Sequence, residues 1–332
     1  MVISRTPFRI SFFGGGTDYP VWYKTNGGAV LSTSIDKYCY VTCRHLPPFF
    51  KYKYRILYSK LEETTSLDKI DHPSVRECLS HINPNINVVV SYDADIPARS
   101  GLGSSSSFTV GLLNALHGLQ GNKKTKTQLA TEALHVEQNL IKENVGSQDQ
   151  IAAAFGGFNK IDFGDKKEFK VLPVTIDQER LNCLQDHLMI FFTGFSRTAS
   201  KIAAEQIRLT PQKSNELNAM KQMVNEAINI LHGKNKNLDD FGKLLHESWQ
   251  LKRSLTTKIS NSAIDKIYGM GREAGALGGK LLGAGGGGFM LLFVKPELQK
   301  NVKEKLKKFL HVPFRFEHSG SQIIYHSSQD KY

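Results

Sequence analysis

The residues best suited to chemistry gather around three glycine clusters. The middle cluster, Gly101-Leu102-Gly103 followed by Ser104, Ser105, Ser106 and Ser107, comes after an extended stretch ending near Asp95 and after Pro97, and it opens an apolar helical pattern. A helix N-terminus carries unpaired N–H groups and the positive end of the helix dipole, so this segment reads as an anion cradle with four hydroxyls turned to open space. One serine is enough to cap a helix, and four exceed that need. Two common nucleotide motifs fail against it. A dinucleotide fingerprint would need Gly at Ser106 and an acid about 20 residues on, where lysines stand instead. A Walker-type loop ending at Gly288 would need Lys and Ser/Thr next, but Phe289 and Met290 follow. A phosphate loop of another lineage remains.

Four titratable residues have two readings each. Glu137 lies in a helical pattern from Thr127 to Glu143 with Ala130, Leu134 and Ile141 on its stripe. A carboxylate there needs a cation or donor, unless it reaches water from the stripe's edge. Asp149 follows Ser147, which stands at capping-box spacing from Gln150, and by pattern alone it complements a helix dipole. Arg9 interrupts a strand of Phe8, Ile10, Phe12 and Phe13, where an exposed ion pair is the simple reading. Asp18, before Tyr19-Pro20, is suited to starting a turn. Arg197 and Lys201 follow the Gly194 turn and place cations near a helix start.

These residues must be positioned by a mixed fold. Val30 to His45 and Ile86 to Tyr92 alternate as strands. Phe108, Leu112, Ala115, Leu116 and Leu119 recur at helical spacing, as do Leu129, Ala133, Val136 and Leu140. The polar stretch Asp177 to Asp186 is unpatterned and marks a soft boundary. Beyond it come a strand His187 to Phe192, helices between Ser196 and Met270, a strand Phe289 to Val294, a helix Glu297 to Leu310 and a last strand near Val312 to Phe316. Strands and helices without regular βαβ alternation predict an α+β class.

Composition bounds the function. A chain of 332 residues has room for about two domains and needs no metal or disulfide staples. No apolar run approaches a membrane span, and the N-terminus lacks a signal-peptide plan, so a cytoplasmic place is expected. Cys39 and Cys43 fall on one face of a strand about 13 Å apart, too far to bridge. A net charge of +12 favours anionic partners, either nucleic acid or phosphorylated metabolites and ATP. Aromatic residues are not interleaved with Lys and Arg as a nucleic-acid surface requires. No nucleic-acid or membrane partner is expected.

Three segments taken in order resemble the motifs of the GHMP small-molecule kinases, the superfamily of galactokinase, homoserine kinase, mevalonate kinase and phosphomevalonate kinase. They are Pro7-Phe8-Arg9-Ile10 through Gly14-Gly15-Gly16-Thr17-Asp18, Pro97 through Ser107, and Gly279 through Gly288. The resemblance implies a two-domain α+β fold, 1–180 and 181–332, with the active site between the domains. It places ATP phosphates on Gly101, Gly103, Ser104, Ser105, Ser106 and Ser107, and Mg²⁺ on Ser105 and Glu137. Asp149 becomes the base on the acceptor hydroxyl, or its orienting group if the proton leaves late, with Arg9 orienting Asp149 in turn. Asp18 takes sugar hydroxyls with Gly15, Gly16 and Thr17 beside it, while Gly285, Gly286 and Gly287 let backbone approach the acceptor or the transferred phosphate.

Galactokinases carry Glu-His where Gly15 and Gly16 stand. The Gly-Gly-Gly-Thr-Asp-Tyr-Pro form, with Asp95 to Ser107 and Thr193 to Ala199, is most similar to the heptose 7-phosphate kinases, and the L-fucose kinases share part of it. The reaction implied is ATP-dependent phosphorylation of the anomeric C1 hydroxyl of D-glycero-D-manno-heptose 7-phosphate to the 1,7-bisphosphate, toward nucleotide-activated heptose. A 7-phosphate requires a second anion site, for which Arg197 and Lys201 are the candidates. An L-fucose-type sugar 1-kinase is the alternative. A catalytically silent sugar-binding regulator is a further one, against which the joint presence of Ser105, Glu137 and Asp149 argues.

Overall fold

The structure, a computed structural model, describes residues 1–164, 169–194, 199–233 and 237–327. Its first sheet is built on two long neighbours, β1 (Val2–Phe13) and β2 (Gly28–His45), which run antiparallel and place Arg9 opposite Ser34. The 18 residues of β2 serve several partners in turn. Its first third pairs with β6 (Phe158–Phe163), its last third with β5 (Val88–Ala94), and Ser34 and Ile35 pair with a two-residue strand, Phe316–Glu317. Beyond β5 lie β3 (Tyr54–Leu57), parallel to it, and then β4 (Leu61–Thr64). The strand β7 (Phe169–Pro173) extends β6.

Burial along β1 changes character at Thr6. Residues 2–5 alternate between buried and half-buried, and every residue from Thr6 to Phe13 is buried. One face of that stretch is covered by α3 (Ser104–Leu119), which lies so close that Ser4 Oγ donates to Gly111 O at 2.7 Å. A Cβ on Gly111 would meet Thr6 Oγ1 at 2.8 Å, so the sequence needs glycine where helix and sheet touch.

The second sheet runs in the order β11 (Leu310–Val312), β8 (Leu188–Phe192), β10 (Phe289–Val294), β9 (Ala276–Leu281), all antiparallel. The helix α9 (Asp239–Leu255) packs on β9, with Gly242 and Gly278 removing the side chains that would separate them. A continuous apolar core joins the two sheets and their helices.

Several elements depart from the sequence reading. The Thr127–Glu143 pattern is broken into α4 (Lys126–Leu134) and a π-helical turn His135–Leu140. Asp177 to Asp186, read as unpatterned, holds a helix: Gln178–Asp186 forms α6, with Leu181 and Leu184 buried. The helix expected over Glu297–Leu310 is α11 (Gln299–Lys305), preceded by a 3₁₀ turn and followed by the strand β11. The strand expected near Val312–Phe316 is two short pieces, Leu310–Val312 and β12 (Phe316–Glu317), and β13 (Gln322–His326) was not anticipated. β12 and β13 cross back to pair with β2 and β1, so residues 316–326 belong in space to the first sheet. The four cysteines are free.

Candidate active site

Arg9 ties three segments together. Its backbone N–H donates to Leu102 O at 3.1 Å and its Nη1 to Gly101 O at 2.8 Å, while Nε and Nη2 donate to Asp149 Oδ1 and Oδ2 at 2.8 and 2.7 Å. This bidentate, charge-assisted pair replaces the exposed ion pair of the simple reading, because Arg9 is only 4% exposed. Asp149, in the first turn of α5 (Gln148–Phe155), keeps 26% of its side chain open and is the accessible partner. Gly103, at φ +77°, brings the glycine turn against both, since a Cβ there would stand 3.3 Å from Arg9 Cγ and 3.5 Å from Asp149 Oδ2. The capping-box reading of Ser147 does not hold. Its hydroxyl bonds to Tyr23 Oη and to Gln138 Nε2 instead of capping α5.

Asp18 stands on the neighbouring turn. Its Oδ1 accepts from Gly16 N–H at 2.9 Å, its Oδ2 from Gln148 N–H at 3.4 Å, and its carbonyl from Ser147 N–H. Burial pushes its carboxyl above the ordinary range; the nearby Asp149 charge adds to that and the N–H bonds oppose it. Gly146 makes this possible, as a Cβ there would lie 1.9 Å from Asp18 Oδ2. Thr17 does a different job from the one expected. Fully buried, its hydroxyl sits among Gly14 O, Ala29 O and Ala29 N and holds the turn to β2. Gly15 has room around its Cβ position, and Gly16, at φ +106°, lies against Gln206.

The serine run is partly turned inward, contrary to the expectation of four outward hydroxyls. Ser107 Oγ donates to Pro7 O, Ser106 Oγ to Glu137 Oε2 at 2.9 Å, and Ser104 Oγ accepts from Arg99 N–H; Ser105 alone of the four is exposed. Glu137 therefore bonds Ser106, where Ser105 was the expected partner. The π-helical turn carries Glu137 fully inside, which settles its stripe-edge reading. Gln150 also donates to Oε2, and Oε1 is left without a hydrogen bond. Burial pushes its carboxyl up to about 7, against the pull of Thr109, Gln150 and Ser106. A hard cation prefers oxygen ligands, and an orphaned buried carboxylate oxygen beside serine hydroxyls fits one. Among the described residues no group of three or more His, Cys, Asp or Glu converges on a metal-sized site, so donor-phosphate oxygens and water would have to complete the shell.

The third glycine cluster meets the second directly. Cβ atoms on Gly283 and Gly288 would strike Gly101 Cα at 2.6 Å and Ser100 O at 2.4 Å, and Phe289 N–H donates to Ser100 O. Gly285, expected to give room to a ligand, instead makes room for its own chain, with Ile259 O 2.7 Å from its Cβ position. Gly286 donates its N–H to the same carbonyl, and Gly286 and Gly287 hold φ of +78° and +154°.

Two buried lysines that sequence reasoning did not assign flank this contact. Lys280 Nζ donates to Phe12 O at 2.8 Å, and Lys252 Nζ to Leu281 O at 3.1 Å and Gly283 O at 2.5 Å. A signal for Lys252 was present: it sits one turn from Trp249 and Leu255 on the apolar stripe of α9, where a lysine is out of place. Lys201 is exposed in the first turn of α7 (Ala199–Leu209), and Arg197 lies outside the described residues.

The model of the GHMP kinases N terminal domain matches residues 73–157, and that of the GHMP kinases C terminal domain matches residues 224–312, together just over half of the chain. The chain belongs to the GHMP kinases. As a GHMP kinase it is an enzyme. It is 29% identical over 318 residues to a D-glycero-alpha-D-manno-heptose 7-phosphate kinase of Campylobacter jejuni, covering 92% of this chain and 93% of that one. An L-fucokinase/L-fucose-1-P guanylyltransferase of Bacteroides fragilis is 25% identical over 89% of this chain, which spans about a third (35%) of that longer protein. The fold matches a crystal structure of a D-glycero-D-manno-heptose 1-phosphate kinase from Bacteroides thetaiotaomicron with a TM-score of 0.78, at 23% identity over 99% of this GHMP kinase and 100% of that chain. Among the described residues no helix is long and apolar enough to cross a membrane.

Proposed function

We propose that this GHMP kinase transfers the γ-phosphoryl group of ATP to the anomeric C1 hydroxyl of D-glycero-D-manno-heptose 7-phosphate, giving the 1,7-bisphosphate. The observation that carries the reading is the Arg9–Asp149 pair: a buried guanidinium holds both oxygens of a partly open carboxylate beside the 101–103 turn. The likeness to the Campylobacter jejuni enzyme supports the heptose.

Phosphoryl transfer needs positioning, charge neutralisation and a path for one proton. Asp149 receives the proton of the C1 hydroxyl as that oxygen bonds to the γ-phosphorus, and the bond from phosphorus to the bridging oxygen breaks to release ADP. An anomeric hydroxyl is more acidic than an ordinary alcohol, which eases the step. Arg9 aims the carboxylate and adds positive charge beside the transferring group. Asp18, held by Gly16 and Gln148, accepts from sugar hydroxyls. The unpaired N–H groups at the start of α3 take phosphate oxygens, with Ser105 as the exposed hydroxyl among them. Glu137 and the hydroxyls of Ser105 and Ser106 would hold Mg²⁺, whose charge neutralises phosphate oxygens when bound. Lys201 and Arg197 are proposed for the 7-phosphate.

ADP release is measured with Mg-ATP on the heptose 7-phosphate, the free heptose, mannose, fucose and galactose, with Asp149→Asn as control. Release that needs the heptose phosphate and collapses in the variant is expected. Release on fucose alone would move the protein to the fucose type, and silence on every sugar would favour a regulator. Arg197→Ala and Lys201→Ala should each raise KM for the acceptor far more than for ATP; equal effects would remove that assignment.

A further inference from the structure

The contact between the second and third glycine clusters is made of backbone alone. Gly101 approaches Leu282 so closely that a Cβ on it would lie 2.5 Å from Leu282 O, and the reverse holds for Gly283 against Gly101 Cα. Glycine turns have no side chains to interlock, so beyond the single Phe289 N–H to Ser100 O bond their register must be held from outside. On the Gly101 side the holder is Arg9, through Nη1 to Gly101 O. On the Gly283 side Lys252 projects from α9 onto Leu281 O and Gly283 O, while Thr193 Oγ1 holds Gly288 O at the far end of the turn.

Burying an ammonium on neutral carbonyls is unfavourable. A lysine used only to fill this space would be better replaced by an apolar residue such as Leu or Met, in keeping with Leu245, Trp249 and Leu255 on the same buried face. Its charge is felt at the site. Burial, the larger influence, brings its pKa down to about 8 and Arg9 opposes the charge, while Asp18 and Asp149 favour it.

We propose that Lys252 is a positioning residue that clamps the Gly283–Gly288 turn against Ser100–Gly103, and thereby sets the phosphate cradle over the Arg9–Asp149 pair. The inference rests on the proposed phosphoryl transfer for its meaning, but the clamp itself can be read without any sugar.

Amide hydrogen exchange on the full chain with Mg-ADP, followed through peptides covering 97–107 and 280–290, is compared for wild type, Lys252→Met, Lys252→Arg and Gly283→Ala. In Lys252→Met both loops should exchange about tenfold faster while β2 and β5 stay protected, and Lys252→Arg should return much of that protection. In turnover, kcat should fall about 10²-fold with KM for the acceptor little changed, and Lys252→Arg should recover part of kcat. Faster exchange in 280–290 alone, or an Arg variant no better than Met, overturns the clamp. Should Lys252→Met loosen the whole chain, Gly283→Ala decides, since its Cβ forces the same two turns apart: change confined to both loops supports the clamp, and change in one loop or neither rejects it. A wild type inactive on every sugar would reject the proposed reaction and leave the exchange result to judge the clamp.

Discussion

Arg9 and Asp149, 140 positions apart, meet edge to edge, with two parallel N–H···O bonds of 2.8 and 2.7 Å. The guanidinium is buried and the carboxylate is not, so the pair has one fixed member and one that can meet a substrate. Residues that act as one unit lose their effect together. Asp149→Asn and Arg9→Met should each lower kcat by about 10²- to 10⁴-fold, and the double variant should be no worse than the poorer single one. Steady-state ADP release measures this, and simple multiplication of the two losses would mean that they act separately.

Gly146 contributes by being small. A methyl group there would stand 1.9 Å from Asp18 Oδ2, so Gly146→Ala must displace that carboxylate. KM for the acceptor should rise about tenfold while KM for ATP moves less than about twofold. Equal shifts in both would show that Asp18 does not face the sugar.

Asp18 itself has a stability cost. Its folded-state carboxyl is raised by burial, so the folded protein holds the proton more tightly than the unfolded chain does. The penalty is absent below the unfolded value near 3.8 and grows as pH rises through the folded value. Asp18→Asn should therefore melt at a higher temperature than wild type at about pH 8, with the gap closing at about pH 4, while acceptor binding is lost. A gap independent of pH would count against the sign.

Glu137 follows the same sign. Raised from 4.5 to about 7, it withdraws stability as pH rises across that window and no further above it. Without divalent ions, Glu137→Gln should gain up to about 3 kcal/mol over wild type at pH 8 and nothing near pH 4. Added Mg-ATP should raise the melting temperature of wild type and not of the variant. A variant stabilised equally by Mg-ATP would remove Glu137 from the ion's shell.

Much of the fold was legible because it is local. The alternation in β2, the stripe of α3 and the glycine–serine turn between strand and helix are each set within about a dozen residues. Where local signals were weak, tertiary packing decided. The six-residue polar surroundings of Leu181 and Leu184 hid a helix, and β13 is legible only as the partner of β1. The break in the helix at His135 has no marker in composition, since no Gly or Pro stands there; an extra residue per turn swings Glu137 inward.

The sequence by itself determined the order of the three glycine clusters, the glycine–serine helix start at Ser104 and the residue types that phosphoryl transfer needs, because spacing and side-chain chemistry are properties of neighbours along the chain. Tertiary structure alone decided which serine meets Glu137, that Thr17 braces a turn, that Arg9 grips Asp149, and that Lys252 reaches Gly283. These contacts join residues up to 140 positions apart, and the direction of a hydroxyl or an ammonium is set by which carbonyl the folded chain brings within 3 Å of it.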